Sequence, residues 1–111
     1  MTDDADRGGP DSDADARGDE TLDALFATIE DRKERLPEGS YTASLFTHEK
    51  GENAVLEKIG EEATEAILAA KDDDRQELTA EAADLVYHLL VLFAEKDLDV
   101  EDLRAELRER F

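Results

Sequence analysis

Carboxylates are the residues of this sequence that could do chemistry, and their position matters more than their number. Of the 111 residues, 32 are Asp or Glu, so acid pairs three apart occur throughout: Asp31/Glu34, Glu49/Glu52, Asp74/Glu77, Asp99/Asp102 and Glu106/Glu109. Most of these must be solvated faces. Two groups differ because they fall on apolar stripes. Val55, Ile59, Ala63, Ala66 and Ala70 form one stripe of a helix predicted from about Glu52 to Lys71. Advancing about 100° per residue from Ile59 puts Glu62 inside that arc, Glu65 at its edge and Glu61 on the polar side. On the next helix, about Arg75 to Lys96, Leu78, Leu85, Leu89 and Leu92 share a face. Glu81 lies within it and Asp84 beside it. A carboxylate buried in such a stripe is costly unless a donor or a cation meets it.

The break between these helices, Asp72-Asp73-Asp74, supplies a register. Glu62 and Asp84 are equidistant from position 73, as are Glu65 and Glu81. An antiparallel hairpin about that point sets Glu62 against Asp84 and Glu65 against Glu81. Four carboxylates at one level repel each other, raising their own pKa values or calling for a cation. All-oxygen ligation suits Mg²⁺ or Mn²⁺ rather than Zn²⁺, and such an ion between helices can serve phosphate chemistry. The alternative is that these acids pair with Lys58 and Lys71, or reach water at the hairpin edge. Lys58, Lys71 and Arg75 could meet phosphates, although cations at helix ends also offset the helix dipole. Ser40, Tyr41 and Thr42 could contact a ligand or form a capping turn. His88, one turn after Asp84, reads as a hydrogen-bonded core histidine. No Gly-rich phosphate loop and no Ser/His/Asp set with interpretable spacing is present.

The elements that must position these groups are all helical. A first helix is predicted from Asp19, with Asp19 or Thr21 as N-cap and Leu22, Leu25, Phe26, Ile29 and Leu36 at helical spacing, closed by Pro37-Glu38-Gly39-Ser40. Residues 40–50 read either as one short helical turn or as an extended connector. A last helix is predicted from about Val100 to Arg110. Residues 1–18, with six acids, two Arg and no large apolar side chain after Met1, are predicted to be a disordered acidic tail, leaving 19–111 as one all-α domain. The second half of the third long helix is apolar nearly all round, through Val86, Leu90, Val91 and Phe93. The expected fold is therefore an antiparallel bundle of three to four helices completed by dimerisation.

Composition bounds the partners. A net charge of -19 from 13 basic and 32 acidic residues opposes binding to nucleic acid or to an anionic membrane. No apolar run is long enough to span a bilayer, and the N-terminus has no secretory signal pattern, so a cytoplasmic location is expected. The absence of Cys removes disulfides and thiolate metal sites. With eight Arg and five Lys, the acid excess reads as adaptation to a high-salt cytoplasm, where salt screens self-repulsion.

Gly60-Glu61-Glu62-Ala63-Thr64-Glu65 followed by Glu81-Ala82-Ala83-Asp84 resembles the EExxE…ExxD signature of the all-α nucleotide pyrophosphohydrolases. Together with Gly39-Ser40-Tyr41-Thr42, Lys58-Ile59-Gly60, Ala69-Ala70-Lys71, Asp74-Arg75 and the run from Leu85 to Leu92 that contains Tyr87-His88-Leu89-Leu90, roughly residues 21–110 resemble the phosphoribosyl-ATP pyrophosphohydrolases. Glu57 stands where many relatives carry a second Lys. The resemblance implies hydrolysis of 1-(5-phosphoribosyl)-ATP to 1-(5-phosphoribosyl)-AMP and pyrophosphate, the second step of histidine biosynthesis, by a homodimer. It implies Mg²⁺, or Mn²⁺, held by Glu62, Glu65, Glu81 and Asp84. Glu61 and Glu62 take the catalytic roles, with Glu61 orienting or deprotonating water. Ser40, Tyr41, Thr42, Lys58, Lys71 and Arg75 contact substrate. Two other readings compete: a house-cleaning dNTP pyrophosphohydrolase of the same fold, and a non-catalytic helical dimer or adaptor.

Overall fold

Helix punctuation sets the architecture. A computed structural model describes the backbone of residues 9–111 and the side chains from Glu20 onward. It contains five helices: α1 (Gly9–Arg35), α2 (Tyr41–Phe46), α3 (Asn53–Lys71), α4 (Arg75–Glu95) and α5 (Val100–Arg110). No strand occurs among the described residues. The all-α expectation holds, and the undecided stretch 40–50 contains one short helix. The predicted tail falls outside the described residues over 1–8. The rest of it belongs to the backbone of α1, which starts before the Asp19 suggested by the apolar pattern.

Three of the helix starts are capped by a side chain. Ser40 Oγ accepts from the Ala43 amide at 3.0 Å and caps α2, and Asp74 Oδ1 accepts from the Glu77 amide at 3.0 Å and caps α4. Asp99 and Asp102 form a reciprocal capping box on α5. The turns after α1, α3 and α4 each pass through a non-glycine residue in the left-handed region: Leu36 (φ 49°), Asp73 (φ 56°) and Asp97 (φ 61°). At the middle turn the Asp74 amide donates to the Ala69 carbonyl at 2.9 Å and the Asp73 amide to that of Ala70 at 3.1 Å, which reverses the chain tightly. Position 73 is thus the centre of the α3/α4 hairpin.

The core gathers at the open end of that hairpin. Phe26 and Ile29 of α1, Leu45 of α2, Val55 of α3, Leu90, Val91 and Ala94 of α4 and Val100 of α5 form one buried cluster. Lys33 reaches from α1 to the end of α4, donating to the Ala94 carbonyl at 2.6 Å and to Asp97 at 2.9 Å. Arg104 ties α5 to α1 through Asp23 at 2.7 Å. Along the hairpin other apolar side chains are left uncovered: Leu56, Ile67 and Leu68 on α3 and Leu78, Val86 and Leu89 on α4 are exposed. No helix among the described residues is long and apolar enough to cross a membrane.

Candidate functional site

The tight turn at Asp73 brings the two arms of the hairpin back to back, and Glu65 of α3 meets Glu81 of α4 as the register predicts. A third carboxylate joins them. Oxygens of Glu65, Glu77 and Glu81 all lie within 4.8 Å of one another. Glu81 is 8% exposed, while Glu65 and Glu77 face solvent. The neighbouring Glu77 carboxyl, then burial, then Glu65 push the Glu81 carboxyl up to about 7, because ionising it adds charge beside charge. Among the described residues no Lys, Arg or His is ion-paired to any of the three. Three carboxylate oxygens without a basic partner form a donor set that matches a hard divalent cation.

Glu62 has a side-chain partner that the register did not supply. Its carboxylate is 6% exposed, and Oε1 accepts a hydrogen bond from His88 Nδ1 at 2.7 Å. Nδ1 also lies 3.1 Å from the Asp84 carbonyl oxygen. Both neighbours are acceptors, so this nitrogen carries the ring proton. On the other side of the ring, Nε2 is hydrogen-bonded to the Tyr41 hydroxyl at 3.1 Å. Asp84 contributes its backbone there, while its side chain is exposed and outside the Glu65–Glu77–Glu81 group. The expected level of Glu62, Glu65, Glu81 and Asp84 therefore becomes two neighbouring units. One is a trio built from both arms; the other is a Glu62–His88 pair deeper in the hairpin. The reason is angular: His88 lies closer than Asp84 to the α4 face turned toward α3, and it supplies the donor a buried carboxylate needs.

The other candidates are placed as follows. Lys58 Nζ bonds Glu61 at 3.0 Å, and that contact raises the lysine's pKa, so this lysine answers Glu61 rather than the buried acids. Lys71 and Arg75 are exposed at the hairpin turn and make no ion pair among the described residues. Arg75 lines a groove of about 220 Å³ with Ala69, Ala70, Asp73, Asp74 and Leu78. Ser40 is committed to its cap. Thr42 Oγ1 is hydrogen-bonded to the Tyr87 hydroxyl at 2.5 Å, so both Tyr41 and Thr42 fasten α2 to α4. Tyr41 and Lys58 also border a groove of about 270 Å³ that includes His48 and Lys50.

Glu77 is the member that sequence reasoning missed. It sits one turn before Glu81, a spacing of four that puts both on one helix face. Counting it with Asp74 at a spacing of three hid that signal.

An all-helical hairpin that converges carboxylates from both arms, with no basic partner to the trio among the described residues, defines an α-helical protein with a carboxylate cluster between two of its helices. The family profile described as phosphoribosyl-ATP pyrophosphohydrolase matches residues 22–111, and the chain belongs to that family. It is 70% identical over 97 residues to the phosphoribosyl-ATP pyrophosphatase of Haloarcula marismortui, covering 87% of this chain and 98% of that protein. Identity is 74% over 93 residues to the protein of the same name from Natronomonas pharaonis, covering 84% and 92%. With the one from Methanocella arvoryzae it is 50% over 91 residues, covering 82% and 96%.

Proposed function

We propose that this chain hydrolyses phosphoribosyl-ATP to phosphoribosyl-AMP and pyrophosphate, the step named by its relatives, using a divalent cation at the hairpin. The observation that carries the reading is the Glu65–Glu77–Glu81 trio, whose crowding holds Glu81 at about 7. Glu65, Glu77 and Glu81 would hold Mg²⁺ or Mn²⁺, with Glu62 and Asp84 beside them. When bound, such an ion neutralises charge on the triphosphate oxygens and on the departing pyrophosphate.

The chain's own groups supply the rest. Lys71 and Arg75 at the turn offer positive charge to phosphate oxygens, and Lys58 does so when it leaves Glu61. Glu61, exposed and paired with Lys58, would take a proton from the attacking water. Tyr41 and Thr42 hold α2 against α4, closing one side of the site.

Two further features belong to this reading. The exposed side chains of Leu56 and Ile67 on α3 and of Leu78, Val86 and Leu89 on α4 lie along one side of the hairpin, and a second copy of the chain covers them. The protein works in a salt-rich cytoplasm, where screening lets a polyanionic substrate approach a surface of net charge -19.

A pyrophosphate-release assay in multimolar KCl tests the activity, with phosphoribosyl-ATP and a panel of dNTPs run side by side. Release from phosphoribosyl-ATP that needs Mg²⁺ is expected. Preference for a dNTP would overturn the substrate, and turnover in EDTA would overturn the role of the cation. Glu62→Gln and Glu81→Gln should each abolish release with helical content intact.

A further inference from the structure

The buried pair Glu62–His88 is not part of the carboxylate trio, yet it is the most enclosed polar contact of the hairpin. His88 is 4% exposed, and both of its ring nitrogens are engaged: Nδ1 with Glu62 Oε1 and the Asp84 carbonyl, Nε2 with the Tyr41 hydroxyl. The ring also packs edge-on against Tyr87, with centroids 4.8 Å apart. It therefore has one orientation. Glu62, by contrast, has only Oε1 bonded; Oε2 makes no hydrogen bond among the described residues. A core histidine needs only one partner per nitrogen to be satisfied. This one fixes a carboxylate that keeps its second oxygen available.

We infer that His88 is a positioning residue: its Nδ1–H holds Glu62 Oε1 so that Oε2 is presented for cation binding, and Tyr41 anchors the imidazole from α2. This rests on the reading of Glu62 as part of the cation site. Hydrogen bonds behind a ligating group fix its orientation, and their loss typically weakens metal affinity about 10- to 100-fold. The arrangement also links two parts of the molecule. The hydroxyl at the far end of the chain belongs to Tyr41, which is 52% exposed and borders the groove lined by His48, Lys50 and Lys58. Movement of α2 thereby reaches Glu62 through a single ring.

Two isosteres separate this role from mere core filling. An Asn side chain places its amide nitrogen where Nδ1 lies, whereas Gln places it where Nε2 lies. Apo full-length protein in multimolar KCl is titrated with Mn²⁺ by calorimetry, and its melting temperature is read in parallel. His88→Gln should weaken Mn²⁺ binding about 10- to 100-fold. His88→Asn keeps the Glu62 contact and loses only the Tyr41 anchor, so it should weaken binding measurably but less than His88→Gln does, and Tyr41→Phe should match it. Melting temperature need not follow this order, because both His88 variants disturb the core alike. Equal affinity of His88→Asn and His88→Gln would overturn the positioning role. If neither His88 variant keeps its helical signal, Tyr41→Phe still decides, since a wild-type dissociation constant there would overturn the anchor. A wild-type protein with no stoichiometric Mn²⁺ site would overturn the underlying cation reading as well, an outcome distinct from both.

Discussion

Ile67→Ser tests whether a second copy of the chain covers the hairpin face. Ile67 is 61% exposed on α3, and fully burying an Ile side chain contributes about 1.5–3 kcal/mol. Covering the open fraction is then worth about 0.9–1.8 kcal/mol for each copy. A two-fold axis places the residue in the interface twice, so the substitution should cost the dimer about 2–3.5 kcal/mol, or roughly 30- to 300-fold in its dissociation constant. The fold of the single chain should be almost unaffected, because the side chain touches little of its own core; changes within about 0.5 kcal/mol are usual at such positions. Ser is preferred to a charged residue because it removes apolar area without adding repulsion. Sedimentation equilibrium across a wide protein concentration range in multimolar KCl measures the constant directly. A value within about threefold of wild type, or a wild-type chain that stays monomeric at every concentration, would show that no second copy covers this face.

Three other outcomes follow from the structure. Glu81 has its carboxyl raised from 4.5 to about 7, so its stabilising contribution is full below pH 4.5 and lost as pH rises through about 7. In EDTA at fixed KCl the melting temperature should fall across that window, and Glu81→Gln should flatten the fall; an identical slope in the variant would refute the assignment. Asp74→Ala removes the α4 cap and should cost about 1 kcal/mol in urea unfolding, whereas Asp72→Ala should stay within about 0.5 kcal/mol of wild type; equal effects would remove the cap's role. Raising KCl from low to multimolar should raise the melting temperature by screening the -19 charge, and a flat or falling curve would sink the halophilic reading.

Much of the fold was legible because helix-period stripes and capping residues agree. The bounds of α3, α4 and α5 follow from Asp74, Asp99 and the apolar repeats. Residues 40–50 resisted because α2 is six residues long, too short for a stripe to establish a period. Its formation depends on the Ser40 cap and on bonds to α4 that are distant in sequence. The site was legible where symmetry about position 73 applied: Glu65 and Glu81 do meet. It did not supply Glu62's partner, because equal distance from a turn fixes the level along two helices but not the angle around each. His88 wins that contact over Asp84 by facing α3 more directly and by carrying a proton. Glu77 stayed hidden in a sequence where acid pairs are so frequent that a spacing of four carries little weight alone.

The separation of the core from the carboxylates has a consequence for how this molecule can vary. The residues that hold the helices together, Ile29, Val55, Leu90 and Val91 among them, lie at the open end of the hairpin, while Glu65, Glu77 and Glu81 lie toward its turn. Substitutions at sites without shared neighbours combine additively. A change in the core should then alter how many molecules are folded, without altering what each folded molecule binds. Conversely, the turn end can be rewritten for a differently shaped nucleotide while the packing that keeps the chain folded is left intact. His88 is the main exception, since it bonds Glu62 and packs against Tyr87, which borders the core; it is there that a lineage changing its substrate would meet epistasis first.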